Sequence, residues 1–187
     1  MEDAIIETEK VEKEKENTLP VVSYSKVTSY KDCPRKYKFC YIDKLPRQEK
    51  PYTIFGQFCH EILEKFHRFY IDPEDPYKNA NMEIPYCDTM KRCFLDAKKK
   101  WEPKLTKEQV DEAYQIMLDY LISISGAQDS PNITFVEKKI WMPIDNEFIL
   151  YGFIDRIQID SDGILHVVDY KTTKDEKYLK DRTQLLL

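Results

Sequence analysis

Glycine is nearly absent from this sequence, with four in 187 residues. A chain so poor in glycine is expected to place it where backbone geometry is special. Three of the four stand beside candidate functional residues: Gly56 before His60, Gly152 before Asp155, and Gly163 inside the turn "DSDGI". Long apolar runs are missing too. None approaches the roughly 20 residues of a membrane helix, and the N-terminus is acidic where a signal peptide is basic and then apolar. A cytoplasmic protein with no membrane partner is therefore expected. Five cysteines (Cys33, Cys40, Cys59, Cys87, Cys93) at irregular spacing contain no C-x-x-C pair. An odd, unpatterned set makes no disulfide framework, so reduced thiols are expected. An excess of positive charge is also lacking, the net charge being -5. Most of that deficit lies in "MEDAIIETEKVEKEKEN", and the remainder is nearly neutral, which leaves a polyanionic partner open. Residues 1–20 read as a disordered acidic tail, and residues 21–187 as one domain.

Helical patterns fill the first two thirds. "SYSKVTSYKD" suggests a short helix capped by Ser25, with a break at Pro34 and a second turn that has proline in its favoured first position. In "YTIFGQFCHEILEKFHRFY" the apolar residues Phe55, Phe58, Cys59, Ile62, Leu63 and Phe66 recur at three- and four-residue steps, which is the strongest helix signal in the chain. A proline-bearing loop follows. Asp88 is a candidate cap for "TMKRCFLDAKKKWE", and Thr106 with Gln109 forms a capping box before a helix that stops at Gly126.

The period then changes. "ITFVEKKIWMPI", "EFILYGFIDRIQID" and "ILHVVDYKTT" are β-branched and aromatic runs separated by "DN" and "SDG", the pattern of a three-stranded antiparallel meander. The fold class expected is α+β. A two-residue turn at Asp162-Gly163 would set Asp155 against Tyr170 and Ile159 against His166. A three-residue loop, Ser161 to Gly163 with Gly163 left-handed, pairs Ile159 with Leu165, Ile157 with Val167 and Gln158 with His166. The second register matches apolar with apolar, so burial favours it. It also places Asp155 level with Asp169, with Lys171 two residues on and on the same face. Facing carboxylates repel unless a cation or proton lies between them. A divalent metal with hard oxygen ligands, Mg²⁺ or Mn²⁺, is the economical solution, and a lysine beside it suits phosphodiester hydrolysis. The same residues also read as an ordinary cross-strand Asp-Lys-Asp cluster.

"FGQFCHEILEKF", "YGFIDRI", "VVDYKTTK" and the terminal "TQLLL" resemble, in this order, successive motifs of the RecB-like nucleases of the PD-(D/E)XK superfamily, the group that includes CRISPR adaptation exonucleases and the AddB nuclease domain. "SYSKVTSYKDCPRKYKFCYI" is similar to their N-terminal segment. The resemblance implies a restriction-endonuclease-like core and a Mg²⁺- or Mn²⁺-dependent deoxyribonuclease, an exonuclease in DNA repair, recombination or phage and CRISPR DNA processing, working with helicase, recombination or CRISPR partner proteins. It implies His60, Asp155 and Asp169 as metal ligands, with the Tyr170 carbonyl as a further oxygen, and Lys171 as the catalytic lysine. Gln184 matches the glutamine of a family Q-x-x-x-Tyr motif. The chain ends one residue before that tyrosine, and the family core has a helix and strand beyond it, so a fragment truncated at the C-terminus is expected. In several such nucleases a cysteine at the position of Cys33 joins three near the C-terminus on a [4Fe-4S] cluster. The other four cysteines here have the wrong positions, so a cluster is expected only in a longer chain.

Other readings stay open. His60 borders an apolar stripe, where a histidine also serves as a packing residue. Glu64 occupies the place of the second histidine of H-E-x-x-H, which argues against a zincin site. Glu137 is either a further site acid or an exposed strand residue. Arg35, Lys36 and Lys38 beside Tyr37 suit DNA, gripping phosphates and stacking bases, and equally suit a solvated basic turn. The alternative to an enzyme is a catalytically inactive DNA-binding module with the nuclease fold.

Overall fold

The computed structural model describes residues 19–71, 86–125 and 132–173. The acidic tail up to residue 18, the proline-bearing loop after residue 71, Gly126 and the C-terminal segment with Gln184 lie outside the described residues. Strand β1 (Val21–Val22) leads into helix α1 (Tyr24–Asp32). Ser23 caps this helix, not Ser25: it has the extended backbone that a cap requires, and its hydroxyl accepts from the Lys26 N–H at 3.4 Å. Cys33 closes α1 and caps α2 (Pro34–Tyr37), with Pro34 at the first position, where its missing N–H is no loss. A π-helical turn, Lys38–Ile42, follows.

Three long helices come next: α3 (Pro51–Ile71), α4 (Tyr86–Trp101) and α5 (Lys107–Ser125). Helix α4 starts two residues before Asp88, which lies in the first turn and complements the helix dipole instead of capping. The capping box is formed: the Gln109 N–H donates to the Thr106 hydroxyl at 3.3 Å, and the Thr106 N–H to the Gln109 side chain at 3.0 Å. The apolar stripe of α3 packs with Met90, Phe94 and Ala97 of α4 and with Val110, Ala113 and Met117 of α5, forming the core. Each large side chain buried there contributes roughly 1.5–3 kcal/mol. Cys59 is fully buried in it, and burial pushes its thiol up to about 12, so it is inert.

The strands are β2 (Asn132–Ile144), β3 (Phe148–Ile159) and β4 (Leu165–Val168). Asp145 and Asn146 turn β2 into β3 with φ of 48° and 55°, the two left-handed residues of a type I′ hairpin. The sheet runs β1-β3-β2 with β4 also on β3. It has four strands and is mixed, not the expected three-stranded antiparallel meander, because β1 joins β3 in parallel, Val21 against Ile149 and Val22 against Leu150. Two residues are too few to show a period. The β3–β4 register pairs Ile159 with Leu165, Gln158 with His166 and Ile157 with Val167, the register expected from the match of apolar residues, with Leu165 and Val167 exposed. Gly163 turns the corner at φ 79°, and Asp160 holds it by accepting from the N–H groups of Asp162 and Ile164 at 3.0 and 2.8 Å.

The described residues divide into two compact units. One gathers residues 19–47 and 139–153; the other, with the three long helices, β4 and the adjoining ends of β2 and β3, gathers residues 48–71, 86–125, 132–138 and 154–173. Among the described residues no helix is long and apolar enough to cross a membrane.

Candidate metal centre

The polar convergence in the helical unit begins with a close approach. A Cβ placed on Gly56 would meet the Thr172 hydroxyl at 3.4 Å, so α3 and the segment after β4 come within van der Waals contact there. One turn further along α3, His60 reaches the same segment, its Nε2–H donating to the Tyr170 carbonyl at 2.9 Å. Gly152, by contrast, has open space where a side chain would go, and its place near Asp155 has no steric reason.

The β3–β4 register, carried one residue past Arg156 and Val168, sets Asp155 level with Asp169. The Tyr170 N–H donates to Asp155 Oδ2 at 2.7 Å, and the same oxygen lies 3.6 Å from His60 Nδ1. Tyr170 thus offers its N–H to the acid and its carbonyl to the imidazole. Lys171 Nζ pairs with Asp169 Oδ2 at 2.5 Å. The third partner of His60 and Asp155 is Glu137: ligand atoms of these three lie within 4.8 Å of one another, and Asp169 is not part of that trio. Glu137 gets there through its backbone, which has φ 50° in the middle of β2. A non-glycine residue in that region costs roughly 1–2 kcal/mol, and it lets buried Val136 and the inward-turned Glu137 sit side by side where strict alternation would part them.

The charges of the trio do not balance. Burial raises the Asp155 carboxyl above its ordinary range, with Asp169 adding to it and the Tyr170 N–H and His60 opposing it. Glu137 is raised too, by burial first and then by Asp155 and Glu64. With Nε2 engaged by the Tyr170 carbonyl, His60 Nδ1 is the nitrogen that faces Asp155 Oδ2, at 3.6 Å. Two carboxylates and one imidazole form a donor set that suits a small divalent cation. His60 and Glu137 of the trio line a cleft of about 720 Å³, together with Glu61, Glu64, Lys65 and Arg68.

Beneath Tyr170 lies a second polar group, which the sequence patterns did not single out. Arg156 Nη1 donates to the Tyr120 hydroxyl at 2.7 Å, and that hydroxyl lies 2.7 Å from His67 Nε2. The Arg156 guanidinium sits 5.6 Å over the Tyr170 ring, and the His67 ring stacks on the same tyrosine at 6.2 Å. Burial, with Arg156 beside it, holds His67 down to about 3, so it is neutral. The "DR" of "YGFIDRI" was the available signal, because alternation sends Arg156 to the face opposite Asp155.

The remaining candidates lie elsewhere. Arg35, Lys36 and Lys38 are exposed in the other unit, with Arg35 5.5 Å over the Phe39 ring, Lys38 paired to Asp43 at 2.8 Å, and Tyr37 packed edge-on to Tyr30. Cys33 is exposed there, and its sulfur accepts from the Lys36 N–H at 3.4 Å. Gln184 is outside the described residues.

A family model described as the PD-(D/E)XK nuclease superfamily matches residues 21–187. Curated relatives include one of the subunits of the ATP-dependent helicase/deoxyribonuclease of Streptococcus pyogenes serotype M3, 26% identical over 128 residues, and its counterpart from serotype M6, 27% identical over 128 residues. Each match covers 66% of this chain and 11% of the relative, so the chain spans about a tenth of the length of these proteins.

Proposed function

The chain belongs to the PD-(D/E)XK nuclease superfamily, and from that premise we propose that it is a divalent-cation-dependent deoxyribonuclease, acting as an exonuclease. The observation that carries this reading is the trio His60, Glu137 and Asp155, with their ligand atoms within 4.8 Å and two carboxyls raised first by burial. His60, Asp155 and Glu137 would hold Mg²⁺ or Mn²⁺, with Asp169 completing the set and the Tyr170 carbonyl joining it once its hydrogen bond to His60 Nε2 is released. The bound ion would neutralise charge on the scissile phosphate and lower the pKa of water. Lys171, held beside Asp169, is the residue to orient the attacking water and to stabilise charge developing on a phosphoryl oxygen. Tyr170 positions the site from the backbone. Arg35, Lys36, Tyr37 and Lys38 would contact the strand, and Gln184 would act as the family glutamine. Residues 21–187 form the nuclease domain in this reading, and the relatives, which are components of a helicase/deoxyribonuclease, suggest a helicase partner.

The test is degradation of end-labelled single- and double-stranded DNA with Mg²⁺ or Mn²⁺. Activity that stops with chelator and is lost in Lys171→Ala, while DNA binding in Ca²⁺ persists, supports the assignment. Binding without cleavage by the unaltered chain would leave a non-catalytic DNA-binding module instead.

A further inference from the structure

Helices α3 and α4 enclose a second cavity, of about 430 Å³, which the nuclease chemistry does not use. That is within the size range of small-molecule sites. Phe69, Cys93 and Leu95 give it apolar walls, and Lys65, Arg68, Arg92 and Lys99 contribute cations. Asp96 is the acid among the lining residues, and it is tied to Lys65. Thr89 also lines the cavity; it is 3% exposed, and its hydroxyl has no hydrogen-bond partner. A buried hydroxyl left unpaired is costly unless a ligand satisfies it. Apolar walls suit the face of a nucleobase, the hydroxyl suits its polar edge, and the cations suit phosphate.

Two further observations connect this cavity with a strand. Lys65 and Arg68 line both it and the cleft that holds His60 and Glu137. From His60 to Phe69 the helix advances about 13 Å, so a strand lying along α3 from the metal site reaches the cavity. The local charge is also out of character for an acidic chain, since Met90 to Lys107 carries seven basic side chains against two acidic ones. Resting on the nuclease reading above, we infer that the α3–α4 cavity is a nucleotide subsite, taking one nucleotide of the strand whose scissile phosphate lies at His60, Glu137 and Asp155.

The experiment compares the intact chain with Lys99→Glu and Thr89→Val. A labelled single-stranded oligonucleotide is bound in Ca²⁺ across a salt series, and bis(p-nitrophenyl) phosphate, too small to reach the cavity from the metal site, is hydrolysed in Mn²⁺. Lys99→Glu should weaken oligonucleotide binding at least about fivefold at low salt and reduce the salt slope by about one. Thr89→Val should weaken it about threefold or more and alter base preference, the lost edge contact being its cause. Both should hydrolyse the small diester at the unaltered rate. Unchanged oligonucleotide binding in Lys99→Glu, whose side chain is exposed and leaves folding intact, would overturn the subsite. So would a cavity that binds a free nucleoside monophosphate without competing with the strand. Failure of the unaltered chain to hydrolyse either diester would count against the nuclease reading, and the binding arm would still decide the subsite.

Discussion

Two histidines two turns apart on α3 stand in opposite electrostatic surroundings. His60 faces two carboxyls, Glu137 and Asp155, at the mouth of a cleft. His67 is buried against a guanidinium, that of Arg156, and a phenol, that of Tyr120. The outer layer is dominated by carboxyls and the inner layer by a guanidinium, with Tyr170 between them, its backbone serving the first and its ring covering the second. Adjacent residues on β3 feed the two layers because strand side chains alternate. The difference teaches that the outer charge imbalance is local: the guanidinium one residue away is engaged by Tyr120 and His67, and the acids are left to a proton or a cation for their balance.

The largest expected effect comes from the outer layer. Asp155→Asn keeps an oxygen for the Tyr170 N–H and removes the charge, so DNA cleavage should fall more than about 100-fold, beyond the loss typical of a group that only orients a ligand. Its ion-free stability should not fall, because a repelled carboxylate has gone. Retained cleavage would break the comparison at once. Next, Arg156→Met strikes the inner layer. It strands the Tyr120 hydroxyl and His67, so urea denaturation should show a loss of about 2–4 kcal/mol, with cleavage reduced less than in Asp155→Asn. An unchanged midpoint would mean that the buried network does not support Tyr170.

The smallest effect is in pH dependence, and the two layers have opposite signs. Asp155 and Glu137 are raised from 3.8 and 4.5, so in chelator they bind protons more readily in the fold. Their contribution is fully present below those values and is lost as pH rises through the elevated folded ones. His67 is lowered from 6.5 to about 3, so its contribution is present above 6.5 and is lost as pH falls, by at most about 1.4 kcal/mol per pH unit. The two partly cancel in the unaltered protein. His67→Gln should expose the outer slope, stability falling as pH rises from 4 upward, and divalent cation should remove that fall. A denaturation series from pH 4 to 7 with and without Mg²⁺ measures it, and a slope indifferent to the ion would show that the acids do not bind it.

Much of this could be read in the chain itself. The three- and four-residue recurrence of Phe55 to Phe66 set the buried face of α3, the Thr106–Gln109 box set the start of α5, and the match of apolar partners about Gly163 set the β3–β4 register, and with it Asp155 level with Asp169 and Lys171 close by. The helices depend on burial and the register on the sterics of a turn among residues near in sequence, which leave a period or a turn signature. Tertiary structure alone decided the rest. Glu137 enters the site through a left-handed backbone that no glycine announces, β1 is two residues long and exists only because β3 receives it, and His67, Tyr120 and Arg156 meet from three separate elements. Such contacts leave no local pattern, because their free energy comes from satisfying buried polar groups across the fold, and that balance is settled only when the elements pack.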